Sequence, residues 1–239
     1  MALGFVLIFK ATDILNFAQG EVMMIGTFIC LILITHFHLP FLWALLVTLG
    51  GVGFLGVLTE RLVLRPMIGK PIFAVVMITI GLSIFLRGIA GIIFGHDNQV
   101  FPSPFVQSPV QFLGIILSHT HIWGMVIAFS LMGLFLLFFK FTKIGLAMRG
   151  TANDQDAALL MGISVKQVFA ITWGIAFVIA GVAGVFLGNV MVVNIGLSMV
   201  AIKAFPALIL GGIQSIPGAI LGGLIIGIVE NLAGGYLYK

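Results

Sequence analysis

Apolar residues run along this chain in long stretches, and polar residues gather in the short connections between them. Six stretches, roughly 22–38, 41–59, 72–94, 119–139, 168–188 and 216–235, are long and apolar enough to cross a bilayer as helices. Two shorter pieces remain, Met1 to Phe9 and 204–214. At about 1.5 Å of helical rise per residue, neither crosses a hydrocarbon core of about 30 Å. The pattern predicts an all-α integral membrane protein. Its architecture is a polytopic transmembrane helix bundle of about six full spans, with a partial N-terminal helix and a short broken or re-entrant helix. The whole chain, 1–239, reads as a single transmembrane domain with 140–166 as its main extramembrane loop. Met1 to Phe9 has no preceding basic region and does not read as a signal peptide. The chain is instead expected to begin inside a longer helix, truncated at its N-terminus, and its end at Tyr236-Leu237-Tyr238-Lys239 is comparably abrupt.

Composition removes the soluble alternatives. The 239 residues are 61% hydrophobic and 8% charged, with a mean hydropathy of +1.29; an ordinary soluble domain carries about 25% charged residues. The net charge of +4 is small and local, which suits membrane-protein loops and not a nucleic-acid partner. Cys30, the one cysteine, lies in an apolar run, which excludes an intrachain disulfide or a cysteine metal site. The basic residues orient the bundle. Arg61, Arg65 and Lys70 follow the second span, and Lys140, Lys143, Arg149 and Lys166 follow the fourth, whereas 96–118 contains no Lys or Arg. The positive-inside rule makes the first two connections cytoplasmic and the third external. A multi-pass inner-membrane (plasma-membrane) protein is expected.

Many of the 31 glycines recur at helical spacing. Ala176, Ala180, Gly184 and Gly188 fall every four residues, as do Gly218 with Gly222 and Gly223 with Gly227. Small residues at this spacing let membrane helices approach closely, so these positions are expected to hold the bundle together. The segment 204–214 is framed by Pro206, Gly211-Gly212 and Pro217. Two readings fit it: a broken or re-entrant helix whose ends sit at membrane depth, or an ordinary helix bent at Pro217.

Candidate chemistry is sparse. Gly69-Lys70 is followed by Pro71, not by the Ser or Thr of a phosphate-binding loop, and neither a His-Glu-x-x-His motif nor a nucleophile elbow is present. No enzymatic activity is expected of this chain. The pairs His36/His38 and His119/His121 are poor chelates on a helix, because residues two apart diverge, so no metal is expected. Three intramembrane polar sites carry more weight. Arg87 falls in the middle of one span and Glu230 inside the last, where a charge is costly unless it faces water, the bundle interior or a partner. Each reads either as part of a polar cavity or gate or as half of a structural ion pair, and Glu230 alternatively as a side chain snorkelling to the inner face. The stretch Thr12 to Glu21 adds Asn16, Gln19 and Glu21 (with Asp13) as a plain loop or as buried polar groups. Gly211 and Gly212 complete the set of candidate translocation-path residues.

The connection Gly145 to Lys166 has the grammar of a short capped helix. Thr151 and Asp154 have capping-box spacing, Asp154 and Asp156 fall in the first turn, and Gly162 sits at the helix C′ position. Between them Ala157, Ala158, Leu159, Leu160 and Met161 would present an apolar surface at the cytoplasmic side. Such a face suits either a protein partner or the membrane interface.

Three stretches together resemble one family, the inner-membrane permease subunits of bacterial branched-chain amino acid ABC transporters. They are LNFAQGEVMMIGTF, with its Asn16 to Glu21 segment, MRGTANDQDAALLMGISVKQV in the middle, and KAFPALILGGIQSIPGAILGGLIIGIVE near the end. The middle stretch is also similar to the wider importer pattern Glu-Ala-Ala-x-x-x-Gly, at Asp156-Ala157-Ala158 through Gly162, with Asp where Glu is usual. The resemblance implies that Thr151, Asp154, Asp156, Ala157, Ala158 and Gly162 form a coupling helix that docks on a cytoplasmic ATPase. It further implies a second permease subunit, homologous or identical, two ATP-binding subunits that carry ATP and Mg, and an external solute-binding protein delivering leucine, isoleucine or valine. The chain itself would bind no cofactor, and its partners would include membrane lipid but no nucleic acid. Related permeases handle urea, short-chain amides and simple sugars, and an ATP-independent channel or secondary transporter is the alternative class.

Overall fold

The computed structural model describes residues 1–102, 110–112 and 115–237. Part of the external connection 96–118 and the terminal Tyr238 and Lys239 lie outside the described residues. Ten α-helices are described: α1 (Ala2–Thr12), α2 (Gln19–Thr35), α3 (Phe41–Thr59), α4 (Ile72–Phe94), α5 (His119–Phe141), α6 (Lys143–Asn153), α7 (Gln155–Leu160), α8 (Val165–Val190), α9 (Ala204–Gly211) and α10 (Ile216–Leu237). A 3-10 segment, Ile195–Lys203, leads directly into α9. A small antiparallel hairpin, β1 (Val110–Phe112) with β2 (Ile115–Leu117), sits in the external connection.

The span count differs from the sequence expectation of six. Five helices are long and apolar enough to cross, namely α3 with its continuation to Met67, then α4, α5, α8 and α10. The stretch expected at 22–38 is instead the shorter helix α2, of 17 residues. Its helix starts earlier, absorbing Gln19, Gly20 and Glu21 into its first turn, because Gln19 and Glu21 are buried and bonded. It stops at Thr35, since the positive φ of 52° at His38 turns the chain toward Pro40 and α3.

Helix α8 is the central post. It is the most enclosed of the long helices and packs against α1, α2 and α3. The small residues make this possible. A Cβ on Gly184 would collide with the Met23 carbonyl oxygen, and one on Gly188 would come within 2.6 Å of Thr27 Cγ2. On the α3 side, a Cβ on Gly56 would lie 2.6 Å from the Trp173 carbonyl oxygen. Close backbone approach of this kind replaces the hydrophobic drive that lipid cannot supply. The same device joins α9 to α10, where Gly211 meets Gly218 and Gly222 meets Ala207. Gly223 and Gly227, by contrast, have open space where a side chain would stand.

Of the readings open for 204–214, the structure shows a broken helix. Helix α9, of 8 residues, is the lower half of a longer crossing that begins in the 9-residue 3-10 segment. A 3-10 helix rises about 2.0 Å per residue, so the two halves together cover about 30 Å, one core thickness. The far end lies among charged residues. Gln214 lines a pocket with Lys10, Arg149 and Asn153, while Asp13, Lys70 and Gln155 line a neighbouring one. The basic ends of α1, α4 and α6 therefore meet on one side, the side the charge pattern assigns to the cytoplasm. Gly212, at a φ of 86°, makes the turn into α10.

Candidate functional site

Two places bring candidate residues together, one at the cytoplasmic surface and one at membrane depth. At the surface, α7 is a two-turn helix fixed at both ends. The Asp154 carboxylate accepts from the backbone N–H groups of Asp156 and Ala157, each at 2.9 Å. At the other end the N–H of Gly162 donates to Leu159 and that of Ile163 to Ala158, both at 3.0 Å. These two bonds with Gly162 at a φ of 82° form a Schellman closure. The helix stands out from the bundle: Leu159, Leu160 and Met161 are 56%, 89% and 83% exposed. Ala158 alone turns inward.

Thr151 does not cap this helix. It lies within the preceding helix α6, buried, with its hydroxyl unpartnered, and the cap is Asp154. The reason is the break between the helices. Asp154 takes an extended backbone, φ −157°, which ends α6 and frees its own carboxylate to receive the next helix.

At membrane depth, the N-terminus of α2 begins inside the bundle. Gln19 donates through Nε2 to the carbonyl of Ala176 at 2.9 Å, about 16 Å along α8 from its cytoplasmic start. Asn16 donates to Gln19 Oε1 at 3.1 Å and receives the Ala18 N–H at 3.1 Å. Asn16 and Gln19 thus tie the start of α2 to each other and to the α8 backbone. Two residues on, Glu21 is only 3% exposed and accepts from Arg87 Nη2 of α4 at 2.7 Å. The same nitrogen donates to Ser198 Oγ at 3.0 Å. Arg87 is 36% exposed, and its buried Nε has no partner.

The pair opens on a cavity of about 280 Å³ between α2, α4 and the 3-10 crossing. Phe5, Phe17 and Phe205 form one wall, with Phe205 4.7 Å from Phe5 and 5.4 Å from Phe17 between ring centres. Ile80 and Ser83 of α4 face them, and Gly20 and Ser198 complete the floor. A Cβ on Gly20 would strike the Ser198 carbonyl oxygen, so α2 and the crossing touch at backbone distance beneath the cavity.

Comparison with known proteins places this architecture. The family described as "Branched-chain amino acid transport system / permease component" matches residues 1–239. The chain belongs to that family. The permease is 35% identical over 255 residues to the high-affinity branched-chain amino acid transport system permease protein LivH of Salmonella typhimurium, covering 99% of this chain and 82% of that one. It is 34% identical to BraD of Pseudomonas aeruginosa, named for the same kind of system, covering 96% and 80%. It is also 32% identical to a probable LivH of Methanocaldococcus jannaschii, covering 99% and 77%. No solved structure matches the chain. The permease is accordingly a multi-pass membrane protein and a component of a transport system.

The remaining sequence candidates fall apart from the cavity. Gly211 and Gly212 belong to the α9–α10 hairpin. Glu230 pairs with Lys203, and the two are 50% and 60% exposed on the open side of α10. Among the described residues no group of three or more His, Cys, Asp or Glu could hold a metal ion. Ser198, Ser83 and the three phenylalanines gave no signal in sequence, since lone serines and aromatics are ordinary in apolar helices.

Proposed function

We propose that this permease is the membrane subunit of an ATP-binding cassette importer of a bacterial inner membrane and conducts branched-chain amino acids delivered by an external binding protein. The observation that carries the ATP-driven part is the capped helix α7. A short helix locked at both ends, with Leu160 and Met161 almost fully in the open, is a rigid apolar knob on the side where the basic connections gather. Hydrophobic groups in that setting ask for a protein groove. The occupant would be a cytoplasmic ATP-binding subunit that carries ATP and Mg, with α7 transmitting its closure to α6 and α8.

Two features support a second permease subunit, homologous or identical. The Lys203–Glu230 pair is about half exposed at membrane depth, which lipid tolerates poorly. Gly223, Gly227 and Gly234 lie on the same helix with empty space above them. The branched-chain substrate rests on the relatives, which are named for branched-chain amino acid transport. Tagged permease, purified from membranes with its associated proteins, should bring down an ATP-binding subunit. Scrambling 151–162 should abolish that recovery while leaving membrane insertion intact, and ATP-dependent uptake of labelled leucine should report the substrate. Recovery of the chain without any ATPase would move the assignment to an ATP-independent transporter or channel.

A further inference from the structure

We propose that the cavity beside Arg87 and Glu21 is a substrate station within the membrane that reads the zwitterion and the aliphatic side chain of a small α-amino acid. This rests on the importer reading above and deepens it, because it gives the permease its own selectivity apart from any binding protein.

The charges argue for a zwitterion. Glu21 and Arg87 sit 2.7 Å apart at membrane depth and cancel each other. A ligand of single charge would bind one and leave the other uncompensated in a medium where that is strongly unfavourable. A ligand with both charges keeps the balance: its carboxylate takes the guanidinium, its ammonium takes the Glu21 carboxylate, and no charge is left alone. Arg87 has the capacity for this. Its bonds to Glu21, Ser198 and the Met199 sulfur all leave from Nη2, and a guanidinium offers five N–H donors in a fork matched to a carboxylate.

The rest of the cavity argues for an aliphatic side chain. Apart from Arg87, Glu21 and two serines, its walls are apolar, with Phe5, Phe17 and Phe205 clustered on one side. The volume of about 280 Å³ is just below the range of about 300–1,000 Å³ that holds drug-sized ligands. A single amino acid fits that size and a peptide does not. Access is provided as well: Phe17 and Arg87 are each 36% exposed at the rim, so the cavity opens away from the bundle, where the translocation path of an assembled importer would run.

The test is binding of labelled L-leucine to the purified transporter assembly in detergent, with no solute-binding protein present. Leucinamide, which lacks the carboxylate, and 4-methylpentanoate, which lacks the amine, serve as competitors. The unaltered assembly should bind leucine, and each competitor should be weaker by on the order of tenfold to a hundredfold, the loss expected for one charge-assisted contact. Two variants leave the ion pair alone. Ser83→Leu plugs the cavity and should abolish binding, and Phe17→Ala opens the rim and should weaken it about tenfold, both in assemblies that still elute as intact complexes. Absence of leucine binding, competition by either analogue as strong as by leucine itself, or unchanged binding in Ser83→Leu would each overturn the proposal and leave Arg87–Glu21 as a purely structural pair. ATP-dependent leucine uptake by the complete system, measured alongside, separates the two failures. If uptake persists while binding to the assembly is absent, the importer reading stands and this inference alone falls; if uptake is absent too, both fall.

Discussion

Single residues decide whether α7 can act as a lever. Gly162 has a φ of 82°, a left-handed conformation that costs a residue with a side chain about 1–2 kcal/mol. Gly162→Val should therefore loosen the Schellman closure and let the last turn fray. The expected result is ATP hydrolysis that continues while leucine uptake falls several-fold, read as the ratio of the two rates in proteoliposomes. Leu160→Asp is the complementary change. Leu160 is 89% exposed and contributes little to the fold, so the thermal midpoint of the isolated permease should hold. Recovery of the ATP-binding subunit should fall sharply, and undiminished recovery would show that the knob is not the docking surface. Asp154→Ala tests the other end, since loss of an N-cap costs about 1 kcal/mol; faster amide exchange across Gln155–Leu160 should report it.

At the scale of elements, what was legible in sequence was the set of groups that satisfy lipid by themselves. The spans α4, α5, α8 and α10 announce themselves by length and apolarity, and the glycine spacing of α8 announces a packed face. The Met23 carbonyl against Gly184 bears that out. Helix α2 falls a few residues off its expected span and the α9 segment stands between two readings in sequence, both for one physical reason. Helix α2 and the α9 crossing are built from short or polar pieces whose unsatisfied groups are met by other parts of the chain. Gln19 reaches the Ala176 carbonyl, and the crossing gains its length from a 3-10 rise that no hydropathy pattern records. The cavity shares this origin: Glu21 and Arg87 were visible as charges, but their pairing across the bundle and their serine and phenylalanine neighbours are tertiary facts. The glycine contacts yield an element-scale prediction. Gly184→Val forces α2 off α8 and should lower the thermal midpoint or abolish assembly, since overpacking of this kind costs about 1–3 kcal/mol or more. Gly223→Val, which meets nothing within the chain, should leave the thermal midpoint of the isolated permease unchanged.

That contrast carries to the whole molecule. A helix face that tolerates a side chain in the isolated permease, yet holds glycines at 223, 227 and 234 beside a half-exposed Lys203–Glu230 pair, has features that serve no purpose toward lipid. Lipid does not need glycine, whose backbone exposure is unfavourable in a helix, and it penalises exposed charge. A second membrane subunit satisfies both, because glycines admit a close helix and a partner or a wet path between subunits shelters the charges. Gly227→Cys, with Cys30 replaced by Ala, should then cross-link in membranes under mild oxidation or with a short bifunctional reagent. A product at twice the mass of this chain would identify an identical partner, and one joined to a different membrane subunit would identify a homologous one. Gly223→Val should lower the yield of either product while the folded permease remains, because a valine wedges the two helices apart. A residue outside the face, such as Phe73→Cys on the exposed side of α4, should give none. Monomer alone in every case, from membranes that still transport leucine, would place the second subunit on another face and leave the Lys203–Glu230 pair without a partner to explain it.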